Sequence, residues 1–101
     1  MNSIPRKKVK YLKACAHGMK PVVLIGKHGL SQAVLNAIDE VLLSHELIKI
    51  KFIDCKEERR ELAQQIVEKT GSSLVTMIGN VLIIYRQHPE AEKRQYELAA
   101  M

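Results

Sequence analysis

Residues 22–29 read VVLIGKHG, an apolar run that passes directly into a glycine, two polar residues and a second glycine. The β-branched run is typical of a central strand buried on both faces, and Ser31 can cap a helix that follows it. Two glycines let the connecting main chain approach a ligand closely, and the amides at a helix start carry partial positive charge. A phosphate is the expected occupant, although paired glycines also serve ordinary strand-to-helix turns.

The positive charge of the chain is concentrated in its N-terminal part. The 101 residues carry 16 Lys and Arg against 11 Asp and Glu, a net charge of +5. Residues 1–38 contain seven of these bases and no acid, so this part carries +7 and the remainder −2. Segregated charge favours an anionic partner and steers it toward the basic part. Nucleic acid is the first candidate and an acidic membrane the second.

Length, hydropathy and cysteines narrow the class of protein. A chain of this size can bury its own core as one domain. Its longest apolar stretch, residues 81–85, is far too short to cross a bilayer, and no signal-peptide pattern follows Met1, so we expect a cytoplasmic protein. Cys15 and Cys55 lack the paired spacing of zinc ligands and are interpreted as reduced packing residues. No metal and no cofactor is predicted.

The spacing of apolar residues predicts three amphipathic helices, over residues 5–16, 31–44 and 54–70. Ser31 can cap the second helix, and Asp54 with Glu57 resembles a capping box before the third. Gly18 and Gly71 are expected to supply the left-handed residue at the ends of the first and third helices.

Four strands are predicted, over residues 22–25, 48–52, 74–78 and 81–86. Gly79 and Asn80 indicate a two-residue hairpin between the last two. The order α-β-α-β-α-β-β predicts an α/β fold of the two-layer α+β type, a mixed four-stranded sheet with helices as a second layer and parallel first strands. We expect residues 1–86 to form the domain and residues 87–101 a polar, loosely held tail in which residues 90–100 can form a short helix.

The first helix carries bases on the side opposite its apolar stripe, among them Lys7, Lys10 and Lys13. A helix that needs only solubility usually mixes both signs, whereas these lysines repel one another and would be relieved by phosphates. Solvation remains the alternative explanation. In the second strand, Lys49 and Lys51 share one side and either line an exposed binding face or protect the strand from aggregation.

Several of these stretches follow one another in the order of a known family. Residues 20–30 (KPVVLIGKHGL) resemble the signature of the CRM domain, the chloroplast RNA splicing and ribosome maturation module, whose stand-alone bacterial form is the YhbY-like protein. Residues 45–49 (HELIK), 70–71 and 78–86 agree with it in order and spacing. The likeness covers about residues 5–86, and Asn80 stands where the family often has a lysine.

The resemblance implies a fold similar to the C-terminal domain of bacterial translation initiation factor three, and association with large-subunit ribosomal precursors during assembly. It implies that the glycine loop binds RNA. It also implies RNA contacts at basic helix and strand positions, and at the end of the last strand, which correspond to Lys10, Lys13, Lys20, Lys49, Tyr85 and Arg86.

The sequence therefore predicts a monomeric RNA-binding protein that recognises the backbone of structured ribosomal RNA. The predicted RNA-binding residues are Lys7, Lys10, Lys13, Lys20, Gly26, Lys27, His28, Gly29, Lys49, Lys51 and Arg86. Lys27 supplies a flexible cation beside free amides, and His28 either stacks on a base or sugar or faces water. No nucleophile elbow or GK[ST] phosphate loop is present, so no enzyme is predicted.

Two other functions stay open at this point. The chain can be a protein-interaction module whose sheet edge or tail docks on a ribosomal or other protein. It can also bind duplex DNA, although no helix-turn-helix pattern favours that.

Overall fold

The computed structural model describes residues 4–96, in which helices alternate with strands in the predicted order. Its elements are α1 (Arg6–Ala16), β1 (Val23–Ile25), α2 (Gln32–His45), β2 (Leu47–Phe52), α3 (Arg59–Thr70), β3 (Ser73–Ile78) and β4 (Val81–Tyr85). A 3-10 turn over Ala91–Lys93 follows β4. The predicted fold class, three helices and a mixed four-stranded sheet, is confirmed.

The strands lie in the order β1-β2-β4-β3. As predicted, β1 and β2 are parallel, and β3 and β4 are antiparallel neighbours. The sequence did not predict that β4 also pairs with β2, to which it runs antiparallel. The C-terminal ends of β1, β2 and β3 therefore lie at one end of the sheet, which we term the loop end. The Gly26–Gly29 loop, residues 53–58 and the hairpin at Gly79 and Asn80 all lie there; the opposite end is termed the far end.

Helices pack on both faces of the sheet, because β4 is apolar on both of its sides and β2 adds Leu47 on the side that also carries its two lysines. Ile50, Phe52 and Leu82 pack with α2 and α3 in the larger core. Leu47 and Ile83 pack with α1 in a smaller cluster on the opposite face. The expected second layer is thus formed by α2 and α3, and α1 adds a partial layer on the other side.

β1 is an edge strand, so the expectation of a central strand buried on both faces is wrong. Val23 and Ile25 are buried on the α2 side, but Leu24 is 54% exposed. The physical reason is that β1 pairs only with β2, and α1 contacts β2 and β3 instead of covering β1.

Two of the predicted helix ends are confirmed and two are wrong. Ser31 accepts a hydrogen bond from the Val34 amide, and Gly71 takes the left-handed conformation after α3. Gly18 has no positive φ, because α1 closes on a right-handed His17 instead. The capping box fails because the carboxylate of Asp54 accepts from the adjacent amide of Cys55 (2.7 Å), and α3 begins only at Arg59.

The segment after β4 is anchored, so the prediction of a loosely held tail is wrong for residues 87–96. Glu46, fully buried between α2 and β2, accepts hydrogen bonds through its carboxylate from the amides of His88 (2.6 Å) and Gln95. The side chain of Tyr96 then packs against Tyr85 and α1. Of the predicted tail helix, only the short turn at Ala91–Lys93 forms, and residues 97–101 lie outside the described residues.

Tyr85 makes the free energy of unfolding fall at alkaline pH. Its buried hydroxyl has no hydrogen-bond partner among the described residues, and its ring meets Tyr96 edge-on at 6.2 Å. Burial, reinforced by the nearby charge of Glu46, raises the pKa of Tyr85 from 10.0 to about 12. The unfolded chain therefore loses this proton at lower pH than the folded protein does, so the contribution of Tyr85 to stability is complete below pH 10 and is lost as the pH rises toward 12.

Between pH 10 and pH 12, we expect the unfolding free energy of Tyr85→Phe to rise by about 2 kcal/mol relative to that of wild type. Near neutral pH the variant should match or slightly exceed wild-type stability, because it removes an unpaired buried hydroxyl. Urea denaturation at a series of alkaline pH values measures both quantities. Parallel stability curves for the two proteins would show that this hydroxyl does not titrate late.

Candidate functional site

The Gly26–Gly29 loop forms a tight turn at the loop end of the sheet. The amide of Gly29 donates to the carbonyl oxygen of Gly26 at 3.0 Å, and Gly29 needs its glycine because its φ is 64°. Lys27 and His28 are exposed at the tip. The loop thus presents a cation and an imidazole to solvent just before α2 begins.

Neither the backbone conformation nor the packing of the described residues requires glycine at position 26. Its φ is not positive, and a methyl group added there would meet no heavy atom within 4 Å. An uncrowded glycine with ordinary dihedral angles suits a backbone that must admit an external ligand at close range.

Cys55 holds this loop in place from the segment that follows β2. Its Sγ lies 3.6 Å from the carbonyl oxygen of Gly26 and 3.8 Å from that of Lys27. The backbone of Cys55 has φ 54°, in the left-handed region that residues other than glycine rarely adopt. The sequence interpretation of Cys55 as a packing residue missed this contact. Cys55 follows Gly26 by 29 positions in the chain and Lys27 by 28.

Four of the predicted lysines follow one another from α1 to the loop. Lys13 and Lys49 line one groove of about 520 Å³ beside α1, where the ammonium of Lys49 donates to the carbonyl oxygen of His17 at 3.4 Å. Lys51 lies two residues further along β2, directly across from Leu24. Lys27 comes three residues after Leu24, at most about 10 Å along the chain. We term Lys13, Lys49, Lys51 and Lys27 the basic band.

The other three predicted lysines are exposed. Lys7 and Lys10 are exposed on α1. Lys20 is exposed just before β1 and therefore lies at the far end of the sheet.

Arg86 lies at the far end and on the opposite face, among α2 and α3. Its guanidinium donates to the carboxylate of Asp39 at 2.6 Å and to the carbonyl oxygen of Thr70 at 2.7 Å. The side chain is only 20% exposed. The structure therefore separates Arg86 from the basic band and gives it a contact that ties α2 to the end of α3.

Two further bases lie at the loop end that the sequence analysis did not single out. Arg59 donates from Nε to the carbonyl oxygen of Gly79 (3.0 Å) and from its guanidinium to that of Lys56 (2.7 Å), which braces the hairpin against the start of α3. Lys56 itself is exposed. Neither base stood out in the sequence, because the charges around α3 are of mixed sign there.

No helix within residues 4–96 is long and apolar enough to span a bilayer. The same residues contain ion pairs at Arg86 with Asp39 and at Lys93 with Glu90, neither of which involves the basic band.

Comparison with known proteins gives consistent matches over most of the chain. The family model of the CRS1/YhbY (CRM) domain matches residues 4–86. A curated RNA-binding protein of Haemophilus influenzae is 38% identical over 93 residues, which cover 91% of this chain and 94% of that protein. "Probable RNA-binding protein YqeI" of Bacillus subtilis is 32% identical, with 91% of this chain and 95% of that protein covered.

A solved structure shares the fold. The solution structure of the hypothetical protein SAV1595 from Staphylococcus aureus superposes with a TM-score of 0.77 at 33% sequence identity, covering 93% of this chain and 99% of that one. The resemblance noted from the sequence motifs is therefore confirmed over the helices and the sheet.

Proposed function

The chain belongs to the CRS1/YhbY (CRM) domain family, and we propose on that basis that it is an RNA-binding protein. Relatives that match it over nine-tenths of its length are named as RNA-binding proteins. The observation that carries the proposal furthest is the exposed Lys27 beside Gly26, a glycine whose own surroundings leave it open to an external group.

The geometry supports recognition of the RNA backbone. Lys27 brings a flexible ammonium to a loop of free main-chain groups, and phosphate oxygens accept from both kinds of donor. The basic band then offers further ammonium groups along one side of the molecule. Tyr85 is buried and Tyr96 packs against it, so neither offers a stacking platform for unpaired bases. Structured RNA read by its shape and its phosphates is the substrate that fits.

We infer further that the RNA is ribosomal and belongs to large-subunit precursors, and that the protein acts as a monomer in the cytoplasm during ribosome assembly. The likeness of residues 20–30 and 45–49 to the ribosome maturation module supports this target. Sequencing RNA crosslinked to the protein in cells tests it. Reads concentrated in large-subunit precursor RNA are expected, and an even spread over messenger and transfer RNA would contradict it.

Gly26→Ala separates the binding role of the loop from its folding. We expect the variant to melt within about 2 °C of wild type, because the added methyl group meets open space. Its affinity for a large-subunit ribosomal RNA fragment should fall about five- to tenfold, because the methyl group would stand between the loop and a phosphate.

The matched control is Gly71→Ala, which places a side chain at φ 65° after α3. This control should lose about 1 kcal/mol of unfolding free energy and keep its RNA affinity. Fluorescence anisotropy and thermal melts measure both effects. Undiminished RNA binding by Gly26→Ala would remove close approach at this glycine from the proposed function.

A further inference from the structure

Within residues 4–96, no helix or strand covers the part of the sheet face next to α1 where Leu24 and Ile78 lie. Leu24, Lys51, Val81 and Ile78 stand directly opposite one another across all four strands, as the strand register shows. They form one row on the face that α1 covers elsewhere. Leu24 is 54% exposed and Ile78 is 59% exposed, so the two ends of this row are aliphatic side chains open to solvent.

A groove continues the row toward α1. It is lined by Lys13, Ala14 and His17 of α1 and by Lys49, Ile78 and Ile83 of the sheet. We term the row and this groove together the open sheet face. This face consists mainly of aliphatic side chains and lysines. The described residues that form it include no aspartate and no glutamate.

We propose that the open sheet face is a docking site for a short, acidic, amphipathic helix of a protein partner. This proposal goes beyond RNA binding. Lys13, Lys49 and Lys51 also belong to the basic band, so the helix and an RNA backbone would compete for these three lysines. The occupant lies beside α1, with its apolar side chains against Leu24, Val81 and Ile78. Its carboxylates face Lys13, Lys49 and Lys51.

The dimensions of the surface fit a helix. Four neighbouring strands span about 14 Å from the first to the last, which equals the length of about ten helical residues. The same face already accepts a helix, since Leu12 and Ala16 of α1 are fully buried against it. A second helix would extend that layer over the remaining row.

The aliphatic content favours protein over RNA as the occupant. Contacts to RNA are mostly charged or polar, and contacts to unpaired bases use aromatic rings or guanidinium planes. Leu24 and Ile78 offer neither charge nor ring. Contiguous exposed aliphatic side chains rimmed by charge are typical of protein docking sites, and the uniform positive charge selects an acidic partner.

The test uses the intact protein and a designed peptide of about 14 residues, with leucine at helical i, i+3, i+4 and i+7 positions and glutamate elsewhere. In heteronuclear NMR, we expect this peptide to shift the amide signals of Leu24, Lys51, Val81 and Ile78 at micromolar to submillimolar concentration. A peptide with lysine in place of each glutamate should bind at least about tenfold more weakly.

Variants then locate the site. Leu24→Ser with Ile78→Ser should weaken the acidic peptide by about tenfold or more, and both are solvent-exposed positions at which serine spares the core. Leu43→Ser is the matched control, because Leu43 is 46% exposed on α2, behind the sheet, and this variant should bind as wild type does.

Two results would overturn the proposal. One is no binding of the acidic peptide at about 1 mM. The other is peptide binding that the Leu24→Ser and Ile78→Ser pair leaves unchanged; if this pair also loses structured RNA binding, the face is assigned to RNA. Neither of these bears on the loop, whose role is tested by separate variants.

Discussion

Replacing Lys27 and His28 together by aspartate is expected to weaken binding to a large-subunit ribosomal RNA fragment by about 100-fold near 0.1 M salt. One substitution reverses a charge and the other adds a negative charge, so phosphates would meet repulsion where the loop now offers a cation. Both side chains are exposed and make no described side-chain hydrogen bond, so the melting temperature should stay within about 2 °C of wild type. Fluorescence anisotropy with a labelled RNA measures the affinity.

Arg60→Asp is the control for a general effect of net charge, compared with the single variant Lys27→Asp. Arg60 is an exposed base on α3 that lies beside Leu74 and Met77 of β3, at the sheet edge opposite to β1. It should change RNA affinity by less than about threefold, whereas Lys27→Asp should cost about tenfold or more. Equal losses from the two variants would mean that the RNA senses overall charge and not this loop.

Glu46→Ala is expected to lower the unfolding free energy by about 3 kcal/mol. The carboxylate is fully buried and accepts hydrogen bonds from the amides of His88 and Gln95, which alanine would leave unpaired. Hydrogen bonds to a charged group contribute about 1.5–3 kcal/mol each, and part of this is recovered when the released tail becomes hydrated. The variant should also expose residues 87–96 to proteolysis.

Glu46→Gly distinguishes the anchor from the backbone at this position. Glu46 has φ 62°, which glycine adopts without steric cost, so Glu46→Gly should be about 1 kcal/mol more stable than Glu46→Ala while still releasing the tail. Urea denaturation and limited proteolysis measure the two effects. Wild-type protease resistance in both variants would show that the buried carboxylate does not hold the tail.

Local signals predicted most of the fold. Ser31, Gly71 and the pair Gly79 with Asn80 each determine a helix end or a turn through their own dihedral angles or a neighbour within three residues. The alternation of residues 48–52 likewise placed Lys49 and Lys51 on one side of β2, where the structure has them. These features needed no knowledge of distant parts of the chain.

The errors and omissions concern contacts between residues far apart in sequence. β1 has the composition of a central strand, but its position at the edge depends on how β4 inserts between β2 and β3. Glu46 meets amides more than forty residues away, and Arg86 meets Asp39 at a separation of 47. The sequence around a single charged residue or thiol does not indicate such a distant partner. The contacts of Glu46 with residues 88 and 95, and of Cys55 with the glycine loop, could therefore not be predicted.

The salt dependence of RNA affinity, measured for wild type and for Lys27→Ala, tests most directly whether the basic band and the glycine loop bind phosphates. For four lysine contacts, we expect the logarithm of the association constant to fall with a slope of about −2.8 to −3.6 against the logarithm of salt concentration. Removing Lys27 should make that slope shallower by about 0.7–0.9. A wild-type slope near zero, or an unchanged slope in Lys27→Ala, would contradict the claim that the basic band and the glycine loop bind phosphates.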